Sequence, residues 1–447
     1  MYQYGGSDGY QSRYSRGGTY NRDNSRTGRS GLSSSLPQDR DFMEGLQTAA
    51  LRTLSKPQAS IISRDEQILK PQNLKCIGSY NWVDEPTPTI IVPGSPPVWR
   101  DRPVPYSVRA DSGVQMVDQN SFRMGSASNL LPLFRAVDIV SEANADTSMN
   151  WGAVDVVTDR NGLRKLLRWI MYSDVESTEP LKEFRIDLQL GGNKTVLMHR
   201  REKRDREISV PPKAGFGHNF EHESTYPAEG CQRSTAHHRI VQYDLDGLRM
   251  VVRFEVDACT AQSSSYTLRT STGTQSRTST RTSNVDDLAS ALGGLGVSAS
   301  SRSSTAATSA ITIIRAGAVV PQSTLVELAT RSARYIDQFN WQEKYPQLLL
   351  SSTPQLFLGA HNRGTFERVY KHALGNPSLR HIEQDTRIMR AFKQLVSILR
   401  TIQQLVKIYG DRGRLSLLCN GDGVLKVYER TSNTGCLTDS ELARFRA

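Results

Sequence analysis

Cysteine is scarce in this sequence. The five present, Cys76, Cys231, Cys259, Cys419 and Cys436, are scattered over 447 residues, with neither the paired spacing of a zinc site nor the density of a disulfide framework. That usage fits a reducing compartment. Long apolar runs are lacking too: none approaches the roughly 20 residues of a membrane-spanning helix, and the N-terminus has no apolar signal core. The expectation is a protein of the nucleus or cytoplasm with no membrane association. No Walker loop is present, and Asp286-Asp287 has no second aspartate-rich partner, which argues against a diphosphate-binding synthase. His218-Asn219-Phe220-Glu221-His222 spells H-x-x-E-H, but zinc-peptidase chemistry needs a continuous helix and a distant third ligand. Gly215 and Gly217 stand just before it, so surface or supporting histidines are the better reading.

Positive charge is abundant. Lys and Arg number 56 against 45 Asp and Glu, a formal net charge of +11, which suits a polyanionic partner. Residues 1–35 are built from Gly, Ser, Arg, Asn and Tyr with almost no aliphatic side chain, too few to repay the entropy of folding. There Tyr2, Tyr4, Tyr10, Tyr14 and Tyr20 interleave with arginines, a composition able to touch phosphates and stack on bases; a solubilising tail is the alternative. We expect residues 1–68 to be a disordered basic arm and linker, 69–430 a single domain, and 431–447 a tail. Ser and Thr dominate 261–310, which reads as a disordered insertion in that domain. The charge run His199 to Arg206 reads as a solvated connector.

Short strands alternate with helices, favouring a mixed α/β or α+β domain. In Leu248 to Ala258, Met250, Val252, Phe254 and Val256 alternate with Arg249, Arg253, Glu255 and Asp257, so a strand puts both carboxylates on one face. Two adjacent carboxylates repel unless a hard divalent cation such as Mg²⁺ or Mn²⁺ sits between them, and Glu327, in another strand-like segment, offers a third oxygen ligand. Ile388, Phe392, Leu395, Leu399 and Ile402 trace one face of a long helix ending at Gly410.

These segments resemble the DXO-type decapping exonucleases. Arg160 opens Arg160-Asn161-Gly162-Leu163 as that family's first motif does. Gly217-His218-Asn219-Phe220-Glu221 is similar to its second, with polar His218 at a position usually apolar. Glu255-Val256-Asp257 fits the third, Glu327-Leu328-Ala329 the fourth, and Tyr345-Pro346-Gln347-Leu348-Leu349-Leu350 the following helix. The resemblance implies a PD-(D/E)XK-like core of mixed sheets flanked by helices. It implies hydrolysis of RNA 5′ caps, phosphoanhydrides or 5′-to-3′ phosphodiester bonds by Glu255, Asp257 and Glu327. Mg²⁺ or Mn²⁺ would be held by Glu221, Glu255, Asp257, Glu327 and the carbonyl of Leu328, with Arg160 and Gln347 positioning RNA. A 5′-to-3′ exoribonuclease is the implied protein partner.

One position departs. Strand alternation points residue 329 the same way as Glu327, and the family places there a lysine that orients the attacking water; this chain has Ala329. Impaired catalysis follows unless Arg331 or Lys344 restores the charge, and a non-catalytic RNA- or protein-binding module is the alternative. The plain reading of the carboxylates is that they are ordinary groups paired with Arg253 and Arg160.

Overall fold

In the computed structural model, which describes residues 38–58, 63, 67–143, 149–173, 181–261, 311–409 and 413–446, Leu248–Val256 forms the strand its alternation predicts. Met250, Val252, Phe254 and Val256 enter the largest core cluster. The opposite face is not solvated: Val251 and Arg253 are buried as well, because this strand lies mid-sheet. The turn into it uses Asp246 and Gly247 at φ 47° and 81°, the left-handed pair that closes a two-residue hairpin.

The sheet around this strand has eleven members, in the order Arg52–Leu54, Leu425–Glu429, Leu415–Cys419, Phe184–Gly191, Thr195–Arg201, Val156–Asp159, Leu248–Val256, Ser234–Leu245, Gln72–Val83, Thr89–Pro93 and Thr312–Ala316. At its centre stand β1 (Val156–Asp159), β2 (Ser234–Leu245) and β3 (Leu248–Val256), with β3 parallel to β1 and antiparallel to β2. A second, seven-stranded sheet contains β4 (Ala258–Cys259), β5 (Leu325–Ser332), β6 (Gln355–Asn362) and β7 (Thr365–Ala373), β5 running parallel to β6. Only Asp257 separates β3 from β4, so one run of chain passes from the first sheet into the second.

Helices fill the faces. Phe134, Val137 and Val140 of α1 (Leu131–Ala143) pack on Ile77, Tyr80 and Trp82. α2 (Arg160–Met171) buries Leu163, Leu166, Leu167 and Ile170 on the other face of the first sheet. α3 (Gly217–Glu223) sets Phe220 against Val326 and Leu328. α4 (Trp341–Ser351) serves both sheets, sending Leu349 and Leu350 into the first core and Leu348 against Leu356 and Leu358 of the second. α5 (Thr386–Tyr409) buries the predicted stripe; residue 410 lies outside the described residues. The result is a mixed α+β protein of large mixed sheets flanked by helices.

Three expectations need correction. Within the stretch read as linker, Arg52–Leu54 pairs with the strand Leu425–Glu429, and Phe42, Leu46 and Leu54 are buried. Within the stretch read as a tail, Leu437 and Phe445 are buried, Phe445 against Phe134 and Trp151. The charge run is a solvated connector only in part: Lys203 and Arg204 are exposed between two strands, but His199 and Arg200 lie buried on the first, Arg200 paired with Glu202 at 2.6 Å and with Asp118 at 3.6 Å. Charge alone misled at the buried end, where Asp118 from another part of the chain and Glu202 within the run both face Arg200. The expected arm (1–35) and nearly all of the expected insertion (262–310) lie outside the described residues.

The same run adds pH sensitivity. Asp187 is fully buried; burial would raise its pKa, but His199, Arg430 and Arg185 outweigh that and hold it at about 2. Burial, aided by Arg430, pushes His199 down to about 4 against the pull of Asp187. Both groups bind protons more readily unfolded than folded. Stability therefore falls as pH drops from about 6.5 to 4 through His199, by about 3 kcal/mol, and from about 3.8 to 2 through Asp187, by about 2 kcal/mol. Urea midpoints at pH 7 and pH 4.5 should differ accordingly, and His199→Gln should flatten the upper window.

Candidate active site

Arg160 is aimed by the residue before it. Asp159 ends β1 and precedes the first turn of α2, and its carboxylate is gripped by Arg253 of β3 at 2.6 and 3.0 Å. Arg253, fully buried, also donates to Tyr80 Oη at 3.1 Å and to the Asn129 carbonyl at 2.6 Å. Tyr80 and Trp82 in turn donate to Asn120 Oδ1, whose amide nitrogen lies 3.0 Å from His238 Nε2. Burial and the Arg253 charge hold the His238 pKa well below its ordinary value, so the ring is neutral and Nε2 accepts. This network fixes the strand end from which Arg160 departs.

The Arg160 guanidinium donates to Glu327 Oε2 at 3.1 Å and to Ser351 Oγ at 3.3 Å. Glu327, 3% exposed on β5, receives two more donors from α4: Lys344 Nζ at 3.0 Å and Gln347 Nε2, both on Oε1. Lys344 and Gln347 are three residues apart, one helical turn, and so share a face. Burial would raise the Glu327 pKa, but Lys344 and Arg160 override it and hold the group well below the usual carboxylate range. Asp257, at the corner between sheets, accepts the Leu328 N–H at 2.8 Å, which brings it beside Glu327. One turn before Gln347, Glu343 bonds Arg164 and Arg168, fastening α4 to α2 along the stripe that Arg160 begins.

The structure thus gathers Arg160, Asp257, Glu327, Leu328 and Gln347 into one site. Glu255 is half-buried on β3 opposite His238, and Glu221 is half-buried on α3, its carbonyl bonded by Thr225. Among the described residues no three His, Cys, Asp or Glu side chains form a metal-ligand group, so the four carboxylates are not a ready-made cage. The same fact leaves His218 and His222, although they share the seven-residue α3, without a three-ligand zinc set. Of the two cations named as substitutes for the missing lysine, it is Lys344 that reaches Glu327; Arg331 instead donates to the Tyr335 carbonyl. Ala329 packs against an apolar cluster of Phe339, Leu348, Leu356 and Leu358. Sequence reasoning missed Ser351 and the Arg253–Asp159 grip; the one-turn spacing of Lys344 and Gln347 was the signal available for Lys344.

The family model described as a domain of unknown function (DUF8563) matches residues 50–444. None of the curated proteins matches. Among solved structures, Rai1 of S. pombe superposes with a TM-score of 0.51 at 12% identity, over 85% of this chain and 99% of that one. Rai1 of Candida albicans, solved in complex with pU5 and Mn²⁺, gives 0.51 at 11% identity, over 89% of this chain and 99% of that one. At these identities the likeness is one of fold.

Removing one member of the buried grip should be costly. Arg253→Met leaves Asp159 charged and alone, and is expected to lower the unfolding free energy by about 3 kcal/mol. Urea denaturation measures this, and adding Asp159→Asn should recover part of the loss.

Proposed function

This chain belongs to the DUF8563 family, and we propose that it acts on RNA 5′ ends as a hydrolase of caps, 5′ phosphoanhydrides or the first phosphodiester. The observation that carries this reading is the convergence on Glu327: an ionised carboxylate beside Asp257, ringed by Arg160, Lys344 and Gln347. Cations and an amide beside paired carboxylates suit a phosphate that must be bound and attacked. The Rai1 structures of similar fold hold 3′-FADP, pU5 and Mn²⁺, which supports the same substrate class.

The donors are hard oxygens and fit Mg²⁺ or Mn²⁺. Asp257, Glu327 and the Leu328 carbonyl would hold the ion, with Glu255 and Glu221 reaching it through water; bound there, it would act as a Lewis acid and make the attacking water more acidic. Arg160 and Gln347 take the RNA phosphate. Lys344 supplies, from a helix, the ammonium that position 329 lacks. The nucleus or cytoplasm as location and a 5′-to-3′ exoribonuclease as partner belong to the same proposal.

A second reading, RNA binding without turnover, is favoured by one observation: both Glu327 oxygens already accept protein donors, and an ion must compete with Lys344 and Arg160. Two measurements separate the readings. Mn²⁺ binding, followed by electron paramagnetic resonance, should be present and should be lost in Asp257→Asn. On triphosphorylated and capped RNAs with Mn²⁺, Lys344→Met should lower the rate about 10²- to 10³-fold, and adding Ala329→Lys should recover part of it. Bound RNA with no turnover in any of these proteins would decide for the second reading.

A further inference from the structure

Beyond Glu327, the same face of the second sheet changes from apolar to basic and aromatic. Strand alternation places Glu327, Ala329 and Arg331 on one face of β5, and the pairing register carries that face across the sheet. Arg331 lies opposite Ala360 of β6, which lies opposite Arg368 of β7, so the two guanidinium-bearing positions stand two strands, about 10 Å, apart. From Glu327 to Arg331 is four residues of extended chain, about 13 Å, and Ala329 between them lies under Phe339 and Leu348, so a nucleic-acid strand joining the two places passes around that apolar cluster. Each cation has an aromatic ring beneath it. Arg331 and Arg334 lie over Tyr335 at 5.7 and 5.4 Å, and Arg368 lies over Tyr370 at 4.6 Å. Arg334 and Arg368 are exposed, and neither is paired with a carboxylate among the described residues.

We propose that this surface binds the body of a single-stranded RNA whose 5′ end lies at Glu327. The inference rests on the proposed 5′-end site and adds a second contact zone to it. Arginines without counter-ions attract phosphates, and tyrosine rings among them offer faces on which unpaired bases stack regardless of sequence. An acidic protein segment would use the charge but has no need of the rings.

The test uses fluorescent 5′-monophosphorylated oligouridines, about 5 and about 20 nucleotides long, with the full chain in EDTA so that nothing turns over. The long oligonucleotide should bind at least tenfold more tightly than the short one. Arg334→Ala/Arg368→Ala should remove that gain, lower the slope of log affinity against log salt by about 1.4 for two lost phosphate contacts, and leave the short oligonucleotide unaffected. Tyr335→Ala should weaken the long oligonucleotide about fivefold or more. Both arginines are exposed, so an unchanged melting temperature confirms that the double variant is folded. A length gain that survives in the double variant overturns the proposal, as does equal binding of duplex RNA or equal competition by polyglutamate. Failure of the short oligonucleotide to bind in EDTA and again with Ca²⁺ supplied to the oxygen ligands, while the long one still binds through these arginines, would sink the 5′-end site and keep the surface. Binding of neither would overturn both.

Discussion

A guanidinium and a carboxylate buried 3.1 Å apart, Arg160 and Glu327, join the two halves of this molecule. Arg160 stands where a central strand of the first sheet becomes a helix, and Glu327 belongs to the second sheet. Taking both charges out of water costs several kcal/mol each, and their mutual attraction repays that only where further hydrogen bonds complete the geometry. Ser351, Gln347 and Lys344 do so, all from the one helix that packs on both sheets. The orientation of the sheets, the placement of that helix and the electrostatics of the site are therefore one problem with one solution.

The ammonium beside Glu327 comes from a helix and not from the strand that carries the carboxylate. What the chemistry needs is a cation near the carboxylates, and a side chain as long as lysine can reach there from a strand or from a helix one layer away. Lys344 reaches Glu327 from α4, and Ala329 packs among Leu348 and Leu358.

The sequence was most legible where one periodicity decided the outcome. The alternation in Leu248–Val256 and the stripe of α5 depend on local pattern, and both formed. The order of acidic segments was enough to join Asp257, Glu327, Arg160 and Gln347. Among the described residues Glu221 and Glu255 form no three-ligand group with them: Glu221 rides on a short helix, and the chain turns from one sheet to the other at Asp257, just past Glu255, which no local pattern encodes. Buried charge was the other blind spot. Arg253, Asp187 and Arg200 look like surface residues in sequence, and partners far along the chain complete their burial: Asp159 for Arg253, Asp118 beside the near neighbour Glu202 for Arg200, and Arg430 beside the near neighbour Arg185 for Asp187. The stretches around 42–54 and 437–445 were hidden similarly: each offers a few apolar side chains, too few to announce an element, yet sufficient once a preformed sheet receives them.

The strand Arg52–Leu54 bears on how this protein folds. It closes one edge of the eleven-stranded sheet by pairing Thr53 with Lys426, residues 373 positions apart (426 minus 53). So distant a contact brings back little until its partner hairpin is in place, since the entropy of closing the loop must be met first. The edge should therefore assemble last and open first, giving the sheet a seam whose amide protons exchange with solvent well before those of Val252 and Ile240 at its centre.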